Sequence, residues 1–126
     1  MDAVQETSTL IAASKVQGTY VFNTGGDRLG SIHDLMIDKR TGQVAYAIMA
    51  FGGFLGVGDS YHPLPWSLLK YNTNLGGYLV DIDQSQLEDA PSYPVGAEPA
   101  WGDPDYEHKL HDYYGVTPRG GPASPL

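Results

Sequence analysis

The sequence predicts an all-β domain in which five or six short strands and one-turn helices form a small closed or nearly closed barrel. Glycine and proline supply 16 and 9 of the 126 residues, a share that favours short strands and tight turns over long helices. Short apolar stretches alternate with turn-forming residues over about 75 residues, which is typical of small barrels. Closure would also hide the edges of the strands.

The length bounds the domain organisation. At 126 residues the chain has room for one domain and an appended tail. We expect a flexible lead-in over residues 1–14, the barrel over residues 15–91 and a C-terminal extension over residues 92–126. The extension is rich in proline and aromatic residues, and one short helix is expected near residues 105–114.

The composition argues against several classes of function. The chain has no cysteine, which eliminates disulfides, thiolate metal sites and thiol nucleophiles. Its net charge of -8, with only seven basic residues, would repel phosphate backbones, so no nucleic-acid partner is expected. No stretch approaches the roughly 18 apolar residues that span a bilayer, and the start of the sequence is acidic. We therefore expect no membrane insertion and a cytoplasmic location.

The central strand is predicted within the stretch from Gly42 to Leu69. Tyr46 and Ile48 lie on one side of a period-two pattern and the residues between them are also apolar, so both faces of this strand should be covered. We expect Tyr46, Ile48 and Trp66 to be buried in the core. The residues of this fold motif are Tyr46, Ile48, Gly52, Gly53, Gly56, Gly58, Pro65 and Trp66.

Local sequence signals predict the strands, the hairpin loop and the short helix on either side of the central strand. The first strand is expected to start near Lys15, and the second contains a one-residue slip in its alternation at Asp34, which is typical of a β-bulge. Gly42 is expected in the left-handed position of a hairpin loop. Asp83 is placed to cap a brief helix, with Gln86 three residues later as its capping-box partner.

Residues from about Ser14 to Pro91 resemble the PRC-barrel family, whose domain occurs in the H subunit of photosynthetic reaction centres and in a ribosome-maturation factor. The similarity covers more than half of the chain. It rests on Gly18, Val21 and Asn23, on GDRLG from Gly26 to Gly30, on Ile32, Asp34, Ile37 and Asp38, on Gly42 to Tyr46, and on the run FGGFLGVGDSYHPLPWSLL.

The resemblance implies a six-stranded β-barrel that acts mainly as an interaction or assembly module. It implies no catalytic residues and no cofactor. The tail, with Trp101 and the run Tyr113 to Gly115, is similar to the extension of small stand-alone bacterial members. Unlike the membrane-anchored members, this chain is expected to have no transmembrane helix, and its acidity argues against a role on the ribosome.

Two features could bind a ligand. The glycine loop could present backbone donors to an anion, but Asp59 adds negative charge and no Lys-Ser or Lys-Thr pair follows, so an apolar loop folded over the barrel is favoured. His108 and His111 would share one helix face and could offer ligands to zinc or nickel. Nothing else clearly completes a ligand set, so solvated helix residues are the favoured interpretation.

No catalytic site is expected. His33 and His62 could be imagined as acid–base groups with Asp38 or Asp59. The chain has no Gly-X-Ser-X-Gly elbow that would expose a serine nucleophile. Asp34 and Asp38 are better interpreted as a bulge residue and a hairpin residue that accept backbone hydrogen bonds.

The leading functional interpretation is a non-catalytic module that forms a homodimer and also presents a surface to an unidentified protein. Phe54 and Leu55 lie at a glycine-flanked loop tip, where apolar side chains often mark a contact surface. The alternative is a small-molecule or metal-binding protein that uses the glycine loop or His108 and His111. The predicted interaction residues are Phe54, Leu55, Trp101, Tyr106, Tyr113 and Tyr114.

Overall fold

The computed structural model describes residues 7, 9–51, 60–94, 96–97, 99 and 101–117. The strands in these ranges form one seven-stranded sheet, and the all-β class is confirmed. Of the helices in these ranges, none has the length and apolar character needed to cross a membrane.

Short strands alternate with tight turns along the chain. The helices are α1 Ala13–Val16, α2 Gln84–Glu88 and α3 Pro104–Tyr114, and a 3-10 helix spans Trp66–Leu68. The strands are β1 Tyr20–Asn23, β2 Arg28–Ile37, β3 Val44–Phe51, β4 Ser60–Pro65, β5 Lys70–Asn72, β6 Gly77–Val80 and β7 Tyr93–Pro94.

The sheet differs from the six-stranded β-barrel that the family resemblance implies. Its strand order is β5-β6-β1-β2-β3-β4-β7, and within the described ranges no pairing joins the two end strands. Among the strands of the described ranges, only β1 and β6 pair in parallel. The additional strand, β7, consists of two residues that pair with Ser60 and Tyr61. Two residues carry no period-two pattern, so the sequence gives no signal for this strand.

The main core lies on one side of the sheet, which we call the inner side. Ala47 and Met49 of β3 point there and are fully buried. The remaining members come from the other strands except β5 and β7, from α1 and α2, and from the residues next to α2 and to the 3-10 helix: Val16, Val21, Leu29, Ile32, Leu64, Leu69, Tyr78, Val80, Ile82 and Leu87.

The opposite, outer side of β3 is buried as well. Tyr46 and Ile48 alternate with the inner residues, and each is only 2% exposed. The prediction that this strand is covered on both faces is therefore confirmed. Leu110 of α3 is fully buried, and α3 packs against β4 next to this surface.

Three local predictions are confirmed. The pairing register of β2 with β3 shifts between Ile32 and Asp34, as a β-bulge requires. Gly42 has a φ of 77°, the left-handed conformation expected in the hairpin loop. Asp83 accepts a hydrogen bond from the backbone of Gln86, whose side chain accepts in return from the backbone of Asp83.

The predicted start of the first strand at Lys15 is wrong. This residue lies in α1, a single helical turn, and β1 begins only at Tyr20. Between them Gly18 reverses the chain with a φ of 86°. Val16 is the one core residue of this stretch, and a single apolar position cannot distinguish a helical turn from a strand.

Two prolines determine what can lie beside β4. Pro63 and Pro65 have no N–H group to donate, so a full-length strand could not pair along this edge. β7 pairs only with Ser60 and Tyr61 at the start of the strand. The edge beyond them is left for α3, which packs against β4.

Candidate functional site

The C-terminal extension packs on the outer side of β3 and β4, which we call the covered face and define as Tyr46, Ile48, Pro63 and Pro65. The ring centroid of Trp101 lies 5.1 Å from that of Tyr46. The ring of Tyr106 meets Trp101 edge-on, also at 5.1 Å. These contacts place the extension against its own domain.

The sequence defines both ends of α3. The Asp103 side chain accepts a hydrogen bond of 3.0 Å from the backbone of Asp105, and Pro104 occupies the first helical position, where its missing N–H is harmless. Gly115 ends the helix in the left-handed conformation with a φ of 68°. The segment for which the sequence predicts a helix thus carries its own start and stop signals.

A chain of hydrogen bonds links α3 to the covered face. The Tyr46 hydroxyl donates to Glu107 Oε1 at 2.7 Å and lies 2.7 Å from His111 Nε2. Tyr46 has only one hydroxyl proton, so Nε2 must carry the proton and donate to the hydroxyl oxygen. In the neutral imidazole, Nδ1 of His111 is then a bare acceptor. It is buried, and the described residues offer it no donor.

His111 also lines a cleft of about 390 Å³. The cleft lies between the β2–β3 turn, the 3-10 helix and the end of α3, where Trp66 and Thr117 contribute to its walls. Asp38 at its rim accepts hydrogen bonds from the backbone of Arg40 and Thr41 at 2.8 and 3.2 Å, as predicted for a hairpin residue. The Arg40 side chain is 90% exposed, so its ion pair with Asp38 contributes little.

The prediction that both helix histidines are solvated is wrong for His111. That side chain is 5% exposed because α3 turns it towards Tyr46, whereas His108 is exposed. Across the ranges that the structure describes, no three His, Asp or Glu side chains come together to hold a metal ion. Nε2 of His111 is moreover committed to Tyr46.

Two half-buried tyrosines of α3, Tyr106 and Tyr114, are held in their neutral form. Burial raises the pKa of Tyr106 to about 12, with a smaller contribution from Tyr93. Burial also raises the pKa of Tyr114, and more strongly. Both hydroxyls are buried without a partner among the described residues. Tyr113 differs, since its ring is 41% exposed and its hydroxyl donates to the carbonyl of Gln86.

Ser60 and His62 form a pair that resembles a nucleophile and its base, with Oγ and Nε2 3.0 Å apart. Burial lowers the pKa of His62 to about 4, so its ring is a weak base. Its Nδ1 has no orienting partner in the described part of the chain.

The two predicted acid–base histidines lie on opposite sides of the sheet. The ring of His33 stacks on that of Tyr61 on the outer side, with 4.3 Å between the ring centroids, whereas His62 lies opposite Met49 on the inner side. The two histidines are not brought together.

The remaining predicted residues fall into two groups. Phe54, Leu55 and the four loop glycines Gly52, Gly53, Gly56 and Gly58 lie outside the described residues. Pro65 is buried as expected. Trp66 is only half-buried, which corrects the prediction of a core position. It begins the 3-10 helix and lies at the rim of the core, where its ring centroid is 5.4 Å from that of Tyr78.

A second part of the outer side, here called the open face, is defined by Tyr20, Phe22, Arg28, Lys70 and Leu79. Strand pairing places Lys70 opposite Leu79, Leu79 opposite Phe22, and Phe22 opposite Arg28. These side chains thus form a row across four strands, because residues directly opposite one another point to the same side. Tyr20 is 48% exposed, and the Arg28 guanidinium lies 4.5 Å above its ring centre.

A family model described as the PRC-barrel domain matches residues 8–87. The chain belongs to the PRC-barrel family. The match ends within α2, so Trp101 and α3, which cover β3, lie beyond the matched part of this PRC-barrel chain. No curated protein matches the sequence.

Sequence reasoning missed the hydrogen-bonding role of Glu107 in this PRC-barrel chain. Glu107 and His111 are four residues apart, and this spacing indicates that they share one helix face. The pattern could therefore have identified the pair. Their common partner, Tyr46, is far away in the sequence and carries no local signal that α3 would dock on it.

Proposed function

We propose that this PRC-barrel chain is a non-catalytic, cytoplasmic protein-interaction and assembly module that associates with itself. The observation that carries the proposal is the open face, where Tyr20 is 48% exposed beside Phe22, Leu79 and Arg28. Aromatic residues and arginine are enriched in the centres of protein interfaces. The covered face, by comparison, is already occupied by the chain's own extension.

A non-catalytic role is supported by the chemistry of the buried titratable groups. The pKa of His62 is about 4, so its ring lacks the basicity to activate Ser60 near neutral pH. The raised pKa values of Tyr106 and Tyr114 make both phenols poor proton donors there. The net charge of -8 further favours protein partners over nucleic acid or anionic membranes.

Sedimentation equilibrium tests self-association directly. At tens of micromolar protein, we expect a mass near twice 13.6 kDa. A mass of one chain at every concentration would contradict the proposal. A chain truncated after Pro91 tests whether the extension contributes to self-association, as the sequence predicts from Trp101 and Tyr106, or only covers its own domain.

A second candidate function is the binding of a small molecule in the cleft lined by His111. It is favoured by the cleft's volume of about 390 Å³ and by the half-buried indole of Trp66 in its wall, which suit a small planar ligand. A ligand that binds only the folded state raises the melting temperature. A thermal-shift screen should therefore find compounds whose effect is lost in His111→Gln, while zinc and nickel titrations test the metal alternative.

A further inference from the structure

We propose that the open face is the contact surface for a second copy of this chain, related to the first by a two-fold axis. This inference rests on the proposed self-association and adds the surface and the pairs that form it. Its basis is the arrangement of apolar and charged side chains on four adjacent strands.

The row across the open face has an apolar centre and basic ends. Leu79 and Phe22 are neighbours on β6 and β1, with Lys70 beyond one and Arg28 beyond the other. The chain has only seven basic residues against fifteen acidic ones. Two of the seven flank this apolar pair, which makes the face locally positive on an acidic protein.

Acidic residues adjoin one end of the same face. β1 and β6 run parallel with Asn23 opposite Val80, so both strands leave the sheet at the same edge. Asp81 follows β6 there and is exposed. Asp27, also exposed, lies in the turn after β1, where its backbone N–H donates to Asn23 Oδ1 at 2.9 Å.

A surface with basic and acidic parts around an apolar centre can complement itself. In a two-fold contact each patch meets its own copy, so Arg28 and Lys70 of one chain can pair with Asp81 and Asp27 of the other. Two chains that each carry a net charge of -8 repel each other in most orientations. Pairing of opposite charges at the open face makes this one orientation attractive. Arginine is well suited because its guanidinium can bind a carboxylate through two hydrogen bonds.

The backbone beneath the row holds its aromatic residue in place. A Cβ added at Gly77 would lie 3.0 Å from the Phe22 ring and 2.4 Å from the Tyr20 carbonyl oxygen. The ring therefore rests directly against the backbone of β6 and is fixed before any partner arrives. A preorganised side chain loses less conformational entropy on association.

The area that a stable interface buries indicates how much of the chain's surface the dimer contact would cover. A stable interface buries roughly 800 Å² on each partner, about a tenth of the 8346 Å² accessible surface of this chain. The row supplies the centre of such an interface, and Tyr20 extends it towards β2. Asp27 and Asp81 are then part of its polar rim.

A charge-swap experiment tests the surface. Sedimentation velocity would compare the full chain with Arg28→Glu, Asp81→Arg and the double variant, and with Lys39→Glu as a control for an equal charge change at the hairpin loop. All three positions are exposed, and circular dichroism checks that each variant is folded. We expect each single variant on the open face to weaken dimerisation at least tenfold, the double variant to restore it, and Lys39→Glu to leave it unchanged.

The outcomes separate this inference from the proposed function. A wild-type monomer would overturn both. A wild-type dimer that is unaffected by Arg28→Glu and Asp81→Arg would overturn the assigned surface and leave self-association standing. Binding of a single-stranded oligonucleotide at physiological salt, abolished by Arg28→Glu, would assign the face to nucleic acid and overturn the inference.

Discussion

The covered face and the open face lie on the same side of one sheet, but the first is buried by the C-terminal extension and the second is exposed to solvent. On the covered face Tyr46 is 2% exposed beneath the extension, with both hydrogen-bonding roles of its hydroxyl used. On the open face Tyr20 is 48% exposed, with a guanidinium above its ring. Both residues are strand tyrosines, so their chemistry alone does not decide which one is buried.

Tyr46 and Tyr20 differ in exposure because burial on the outer side depends on the C-terminal extension, which is remote in the sequence. Side chains on the inner side follow the period-two alternation of the strands apart from the bulges in β2, and their burial follows from the strands alone. The outer residues depend on what else the chain brings over them. Here α3 supplies the cover for β3, with Leu110 as its buried apolar residue and Glu107 and His111 as its polar anchors.

Large-to-small substitutions should separate the two faces most strongly. Ile48→Ala removes fully packed methyl groups and leaves a cavity, so we expect it to lower the free energy of unfolding by about 2 to 5 kcal/mol. Tyr20→Ala on the open face should lower it by less than about 1 kcal/mol when both proteins are measured at concentrations low enough to be monomeric. Urea denaturation measures both values. Equal losses would show that the covered face is not packed as described.

Removing one hydroxyl from each face is a finer comparison. Tyr46→Phe leaves Glu107 and His111 without their shared partner, and we expect a loss of about 1 to 3 kcal/mol. Tyr20→Phe, the matched change on the open face, should alter stability by less than about 0.5 kcal/mol. If the two variants are equally stable in urea, the hydrogen bonds to Tyr46 do not hold α3 in place.

Acid should weaken the domain through His62, which lies on the inner side, away from both faces. Its pKa is about 4 in the folded protein against 6.5 for an unperturbed histidine, so below pH 6.5 the unfolded chain takes up a proton that the folded chain does not. The stabilisation is present above pH 6.5 and is lost as the pH falls towards 4, at a size on the order of 1 to 2 kcal/mol. Urea midpoints between pH 7 and pH 4.5 measure this loss.

The variant His62→Gln should flatten that pH dependence, whatever its own stability. A steep dependence that survives in His62→Gln but disappears in His111→Gln would trace the acid sensitivity to the covered face instead. The comparison of slopes therefore assigns the titrating group to one side of the sheet.

The smallest expected effect concerns the cap of α2, the helix to which Tyr113 of α3 is hydrogen-bonded. Asp83→Ala removes the capping box of α2 and should cost about 1 kcal/mol. The Gln86 carbonyl in the same helix accepts from Tyr113, so loosening α2 also loosens an anchor of α3. Gln84→Ala, an exposed change in the same turn, is the control. Equal thermal melts for the two variants would contradict the capping role.

The features that the sequence predicted correctly are those with a local cause. Asp83 with Gln86, Gly42 and the bulge near Asp34 each follow from the geometry of a few adjacent residues. The apolar residues on both faces of β3 predicted its two-sided burial, but the cover on its outer side comes from α3. The cap, the turn and the bulge need no distant segment to produce them.

The features that it missed need long-range contacts. His111 is buried only because α3 folds back on Tyr46. β7 exists because Tyr93 reaches Tyr61, not because its two residues favour a strand. Trp66 is half-exposed because the 3-10 helix holds it at the rim of the core. The cleft beside it combines three segments and has no signature in any one of them.

The parallel pairing of β1 with β6 has a consequence for synthesis on the ribosome. β1 can form a hairpin with β2 as soon as both have emerged, but its other edge must wait until Gly77–Val80 follows, after three further strands. Closing so large a loop is entropically costly and slows folding. In the interval the donors and acceptors of that edge are available to other nascent chains. We therefore expect this pairing to limit the folding rate, and its edge to be where co-translational misassembly begins.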